Sequence, residues 1–230
     1  MNHKVTMNRI TAITNVRIFD GECVLNDTTV VINGAHIQSV GGVAPTEATV
    51  IDGRGATLMP SLIDAHVFII PTLVTLSTAF GNNAAKLAAD QRVRSRLSRK
   101  WLDSLSRCMD VYPQGKLEDA YANIRALCDA GVDILAGSDV SEPIPILGGL
   151  AHGASLHHEL QLLVAAGLKP IEALRAATST PARRFGLTDR GRIVPGTFAD
   201  LLLVDGDPLI NIADTLSIRA VWHRGVEFTT

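Results

Sequence analysis

Short runs of alternating apolar and polar residues occur at both ends of the chain and give way to a different pattern between them. Such runs, broken by Gly, Asn and Asp, are typical of short antiparallel strands joined by turns. They occupy roughly the first fifty residues and return at residues 200–205, 218–222 and 226–228. A few isolated strands do not form a stable sheet. The two ends of the chain are therefore predicted to build one shared β-sheet unit.

The middle of the chain has the alternating pattern of an α/β protein. Strand-like runs rich in branched apolar residues lie at 62–70, 72–76 and 132–136. Stretches with helical composition lie at 82–109, 117–130, 156–166 and 170–185. Gly131 and Gly167 end two of these helices, and Pro170 begins the last.

The composition excludes several classes of protein. With 21 basic and 23 acidic residues the net charge is −2, so no general electrostatic attraction draws the chain to nucleic acid. No apolar run reaches the roughly 18 residues of a membrane span, and the start has no apolar signal segment, so we expect a cytoplasmic protein without membrane association. Cys23, Cys108 and Cys128 are an odd number at unrelated spacings, which predicts buried thiols rather than disulfides.

The first motif with chemical content contains His66. In a strand, residues i and i+2 point to the same face, so two histidines spaced in this way can bind one metal ion. Residues 55–67 resemble the strand-one motif of the metal-dependent amidohydrolase superfamily, in which a strand leaves a small β-sandwich, enters a (β/α)8 barrel and delivers two such histidines. Here His66 takes the first position and Phe68 the second. Half of the pair is absent.

A second motif ends in Asp139. Residues 131–139, GVDILAGSD, resemble the last barrel strand of the same superfamily. The resemblance implies that Asp139 binds metal and takes the proton from the attacking water. Barrel enzymes place catalytic groups at this end of a strand, and a metal-bound water needs such a base. Without the resemblance, an aspartate after Gly-Ser is more simply a turn or helix-cap residue.

The longest resemblance covers residues 158–187 and 191–208, which are similar to the C-terminal part of amidohydrolases of the imidazolonepropionase and prolidase-like branches. Its residues serve packing and the return to the sandwich. His152, in a Gly-rich loop after Asp139, is a candidate substrate contact. His157 and His158 are adjacent and point about 100° apart on a helix, so they cannot easily share an ion. Capping or solvent-facing histidines at a helix start are the simpler interpretation.

Residues 57–187, between the two sandwich halves, are too few for a complete barrel, which takes about 250 residues. Residues 71–75 resemble the seventh strand of the family, so the chain passes from the first strand to the seventh and omits strands two to six. The ligands carried by the fourth, fifth and sixth strands go with them, since no histidine lies between His66 and His152. Of the family's ligand set, His66 and Asp139 remain.

We therefore predict an α/β fold: an incomplete (β/α)-barrel remnant at 57–187, plus a small β-sandwich formed by 1–56 and 188–230. The resemblance implies metal-dependent hydrolysis of C–N bonds in an amide or cyclic amide, with metal ligands His66 and Asp139, catalytic Asp139, and substrate-binding His152. Zinc or another divalent metal would be held weakly or not at all, because catalytic zinc usually has three protein ligands. Activity would be weak or lost. The alternatives are an inert remnant with a structural, oligomer-forming role, and a fragment with a new binding role.

The missing strands also predict self-association. A half barrel exposes sheet edges and an apolar face that its lost helices would have covered. A homo-oligomer, most simply a twofold dimer, would satisfy those edges. The expected small-molecule partner, if the protein is active, is an amide-like substrate.

Overall fold

The computed structural model describes residues 10–64, 69–140 and 148–228. Its eight-stranded sheet is mixed. The strands are β1 Ile10–Phe19, β2 Val24–Asn33, β3 His36–Val40, β4 Thr49–Asp52, β5 Thr57–Pro60, β6 Leu201–Val204, β7 Ile218–His223 and β8 Val226–Phe228. The helices are α1 Leu73–Ala79, α2 Ala85–Ala89, α3 Gln91–Arg94, α4 Arg99–Leu105, α5 Leu117–Asp129, α6 Ala154–Ala165, α7 Pro170–Ala176 and α8 Ser179–Arg184, with a 3₁₀ helix at Ile212–Leu216.

The two ends of the chain meet in the middle of this sheet, as their shared alternating pattern predicts. The strand order is β3-β2-β1-β5-β6-β7-β8, and β4 also pairs with β1. Strand β5 pairs antiparallel with β6, from Thr57 opposite Val204 to Pro60 opposite Leu201. The division into two domains at 56/57 and 187/188 stays a prediction.

Strand β6 is buried on both faces of the sheet. Leu201 and Leu203 pack in a core formed by the sheet strands themselves, together with Trp222. Leu202 and Val204 point the other way and pack in the core shared with α1, α6 and α7. Successive side chains of a strand alternate between faces, so a strand with four apolar residues in a row needs cover on both sides. A third, smaller core joins α2, α3 and α4 to the start of α6.

The sequence prediction was wrong about the strands in the middle of the chain. Residues 72–76 contribute to helix α1. Residues 134–136 are buried, as predicted, but they form no strand, and their backbone bonds go to two different segments. The Leu135 N–H donates to the Ile69 carbonyl oxygen at 3.2 Å and the Ala136 N–H to that of Ala176 at 2.8 Å. The predicted strand at 62–70 falls partly outside the described residues, and its described parts are not strand.

The predicted helix at 82–109 is three short helices, α2, α3 and α4. Asp90 ends α2 with an extended backbone, and its carboxylate accepts from the Arg92 N–H at 2.9 Å to begin α3. A carboxylate that caps a helix in this way favours a new start over continuation of the old helix. The predicted helix at 117–130 is confirmed by α5. The predicted helix at 170–185 divides into α7 and α8.

Two smaller predictions also need correction. Cys23 is exposed, whereas Cys108 and Cys128 are partly buried, and all three are free thiols. His157 is buried in the helix core and does not face solvent. In the part of the chain that the structure describes, no helix has the length and apolar character to cross a bilayer.

Candidate functional site

Asp139 stands at the end of the buried segment 134–138, with its own side chain exposed. Its backbone has a φ of 49°, in the left-handed region. A residue with a β-carbon adopts this conformation at a cost on the order of 1 kcal/mol or more, and surrounding contacts must hold it there. The residue before Asp139 provides those contacts.

Ser138 is 1% exposed and is held from two sides. Its backbone N–H and its hydroxyl donate to the two carboxylate oxygens of Asp64, at 2.7 and 2.5 Å. Its carbonyl oxygen accepts from the Thr75 hydroxyl at 2.9 Å. We call Asp64, Thr75 and Ser138 the Ser138 clamp. It joins the first motif (55–67), helix α1 and the second motif (131–139) at the residue next to Asp139.

Glu159, on α6, supports the Ser138 clamp through its contact with the start of α1. It is fully buried, and its Oε2 atom accepts from the Val74 N–H at 2.9 Å. Together with a bond from the Leu73 N–H, this caps α1, whose N-cap residue Thr72 has no side-chain cap of its own. The first N–H groups of a helix need such acceptors. Glu159 thus fixes the helix that carries Thr75.

Glu159 is also an unusual acid. Burial raises the pKa of Glu159 to about 8, against the lowering by the two N–H donors, and the negative charge of Asp64 adds a smaller rise. Its Oε1 atom has no hydrogen-bond partner among the described residues. A carboxylate in this environment binds a proton at neutral pH, because water cannot solvate its charge.

The structure places His152 against α4. Its exposed imidazole meets the indole of Trp101 edge-on, with ring centroids 5.1 Å apart. The loop before α6 is fixed by the Ala151 N–H, which donates to the Ser155 hydroxyl at 2.8 Å. A role of His152 towards a substrate stays a prediction.

The adjacent histidines of α6 have a packing role. Burial lowers the pKa of His157 to about 4, with a smaller contribution from the positive charge of Arg92. Burial also lowers the pKa of His158. A neutral His157 fits the core around it, and its Nδ1 atom finds no partner within the described part of the chain.

The predicted metal ligands are His66 and Asp139, and the structure describes the second of them. His66 lies outside the described residues. Within residues 10–64, 69–140 and 148–228, no three His, Cys, Asp or Glu side chains come together as a possible metal site. Catalytic zinc sites usually take three protein ligands. The described residues therefore do not fit a metal centre by themselves.

Four residues of the site were not among those predicted from the sequence: Asp64, Thr75, Ser138 and Glu159. Asp64 lies inside the first motif and Ser138 inside the second, so both residues were in view, but their contact spans 74 residues of chain. Glu159 lies 85 residues from its partner Val74, and its sequence context is an ordinary helix.

Comparison with known proteins identifies the family to which the chain belongs. The model of the amidohydrolase family matches residues 74–227, more than half of the chain. The chain belongs to the amidohydrolase family. Members of this superfamily are typically metal-dependent. The family match includes all of α1 except Leu73, together with Ser138, Asp139 and Glu159, so the structural support of the candidate site lies largely inside the matched region.

Individual relatives agree with this assignment. Over 167 residues the chain is 29% identical to adenine deaminase 2 of Jannaschia sp., a match over 71% of this chain and 24% of that protein. It is 35% identical over 109 residues to imidazolonepropionase of Deinococcus deserti, which takes in 44% of this chain and 25% of that protein. The chain thus spans about a quarter of the length of these curated relatives.

Solved structures show the same fold. A Xaa-Pro dipeptidase aligns with a TM-score of 0.64 at 13% identity, covering 96% of this chain and 100% of that chain. At this identity the likeness concerns the fold alone. It supports an architecture similar to that of the amidohydrolases, while the details of a truncated barrel stay a prediction.

Proposed function

We propose that this amidohydrolase has a reduced site built around Asp139, in which hydrolysis of a C–N bond in an amide or cyclic amide is weak or lost. The observation that carries the proposal is the Ser138 clamp. Three hydrogen bonds, two to Asp64 and one from Thr75, hold Ser138, the residue that precedes the left-handed backbone of Asp139. A left-handed backbone that surrounding contacts hold in place, at an exposed carboxylate, supports a functional role for Asp139.

The exposed Asp139 carboxylate is suited to proton transfer. It can accept a proton from a water that attacks a carbonyl carbon and return it to the leaving nitrogen, as a general base and then a general acid. His152, exposed beside Trp101, would contact the substrate. His66 is proposed as the second metal ligand beside Asp139. Two protein donors hold zinc loosely, so weak or absent metal binding is part of the proposal.

The alternative is a catalytically inert protein with a structural, oligomer-forming role. It is favoured by the donor set, because the described residues bring no three metal ligands together. Both candidates use the same fold. They differ in whether Asp139 contributes to a measurable rate.

An activity assay with matched variants distinguishes them. Purified protein is incubated with adenine, a cyclic amide and an Xaa-Pro dipeptide, with and without excess Zn²⁺ or Mn²⁺, and product formation is followed by chromatography. We expect a slow reaction on at least one substrate, reduced at least about 100-fold by Asp139→Asn. Asp133→Asn is the control, since Asp133 lies on the same segment and pairs with Arg183 and Arg184. No product above the protein-free background on any substrate would support the inert alternative, and equal measurable rates for wild type and Asp139→Asn would refute the role of Asp139.

A further inference from the structure

A cleft on the α2, α3 and α4 helices lies in the most basic part of the chain. Residues 85–107 contain seven basic and two acidic residues, in a protein with 21 basic and 23 acidic residues in all. Charge is therefore segregated, although the net charge of −2 hides it. A local basic surface attracts anions whatever the net charge of the whole protein.

Four of the five arginines in this region divide into two groups, those committed to the fold and those available to a ligand. Arg92 and Arg96 are committed to the fold: Arg92 binds the Asp90 carboxylate and the Ala213 carbonyl oxygen, and Arg96 binds the Ile218 carbonyl oxygen. Arg94 is exposed and forms no side-chain ion pair or hydrogen bond with the residues that the structure describes. Arg99 is 93% exposed, and its Nε atom is 3.9 Å from the Asp103 carboxylate, at the outer limit of an ion pair. Such exposed pairs contribute little.

The two available guanidinium groups, Arg94 and Arg99, line one cavity. It is a cleft of about 410 Å³ that is widely open to solvent, so it would hold a small molecule against the surface without enclosing it. The rest of the lining includes small apolar side chains, Ala85, Ala88, Ala89 and Leu102. Alanines leave space over the helix surface for an apolar group, and guanidinium groups bind carboxylate and phosphate oxygens through paired N–H donors.

From this combination we propose that the cleft binds a small organic anion, a carboxylate or phosphate with an apolar body. The anionic head pairs with Arg94 and Arg99, and the body packs on the alanines and Leu102. Asp103 lies in the same lining and opposes an anion. Its carboxylate also competes for Arg99, so it lowers the affinity of the cleft for an anion.

This site goes beyond the proposed function and does not involve Asp139. It is nevertheless connected to the candidate site through α4. The Ser104 hydroxyl donates to the Leu150 carbonyl oxygen at 2.8 Å, and Trp101 on the same helix contacts His152. A ligand in the cleft would therefore contact the helix that supports the His152 loop.

Calorimetric titration tests the proposal with four probes: phenyl phosphate, benzoate, inorganic phosphate and benzyl alcohol. We expect phenyl phosphate or benzoate to bind at least about 5-fold more tightly than inorganic phosphate or benzyl alcohol, because head and body both contribute. Whichever of the two binds more tightly identifies the head group. No preference for the probes that combine charge and body would overturn the proposal.

Variants then locate the binding. The double substitution Arg94→Gln and Arg99→Gln should weaken the better probe at least about 10-fold, whereas Lys100→Gln, an exposed cation of α4 outside the lining, should change it less than about 2-fold. Asp103→Asn should tighten it. All these side chains are exposed, so circular dichroism should show an unchanged fold. Equal effects of the double substitution and Lys100→Gln would refute the assignment of the cleft.

Discussion

Replacement of Glu159 by glutamine should remove a pH dependence from the stability of the protein. In the folded state burial raises the pKa of Glu159 to about 8, whereas its ordinary value is 4.5. Between these two values the folded protein holds a proton that the unfolded chain has released. The folded state is therefore favoured at low pH, and its stability falls as the pH rises from about 4.5 to about 8.

The size of the effect follows from the two pKa values. Each pH unit inside this window changes the free energy of unfolding by about 1.4 kcal/mol. Between about pH 5 and pH 7.5 the wild type should lose about 3 kcal/mol relative to the Glu159→Gln variant. Glutamine keeps an oxygen for the Val74 N–H and has no ionisation, so the two proteins should be similar in stability near pH 5. The variant should be the more stable one at pH 7.5.

Urea unfolding at several pH values, followed by the fluorescence of buried Trp222, measures this difference. Subtracting the curves cancels the opposite contribution of His157, whose lowered pKa makes stability fall as the pH drops from about 6.5 to about 4. Glu172→Gln is the control, because it makes the same substitution at an exposed helix cap, where the Glu172 side chain accepts from the Lys169 N–H at 2.8 Å. Parallel pH profiles for wild type and Glu159→Gln would refute the account of Glu159 as a buried, protonated cap.

Three further predictions concern metal, chain ends and assembly. Elemental analysis of protein purified without added metal should find well under one equivalent of zinc, since His66 and Asp139 are two ligands; a stoichiometric ion that survives dialysis would contradict this. Removal of the residues after Asp200 deletes β6 and leaves one edge of β5 unpaired, so the product should be insoluble or unfolded; a soluble, cooperatively unfolding product would count against the shared sheet. Light scattering after size exclusion should give a dimer, in which His66 of one chain could approach Asp139 of the other; a monodisperse single chain at micromolar concentration would rule it out.

The parts of the fold that depend on local pattern were predictable. The alternating runs located most strands of the sheet, although not the central strand β5, and the composition of 117–130 located α5. The branched residues around Leu73 and Val74 predicted a strand, because such side chains favour strands. The segment is a helix, and a tertiary contact stabilises its start. That contact is the carboxylate of Glu159, which caps α1 from another helix. Intrinsic preference is a weak guide where a distant group satisfies the backbone.

Of the candidate site, the exposed Asp139 was predictable from the sequence, whereas the buried residues that support it were not. The motifs singled out Asp139, and the structure adds the Ser138 clamp that holds it. Asp64 lies inside the first motif, residues 55–67. Its contact with Ser138 joins residues 74 positions apart, and such a distant contact leaves no recognisable spacing in the sequence. The Asp90 cap, in contrast, acts two residues away on Arg92 and was in principle visible, as an aspartate before a helical run.

The pairing of β5 with β6 makes the sheet insensitive to the length of the chain between them. The chain leaves the sheet at Pro60 and returns at Leu201, which is paired with Pro60. Both ends of this excursion are also joined by the next hydrogen bond, in which the Ser61 N–H donates to the Asp200 carbonyl oxygen. The entropy of closing such a loop changes only slowly with its length, by roughly 0.6 kcal/mol for each doubling. Strands and helices can therefore be gained or lost inside the excursion while the strands on either side keep the same register and the same neighbours.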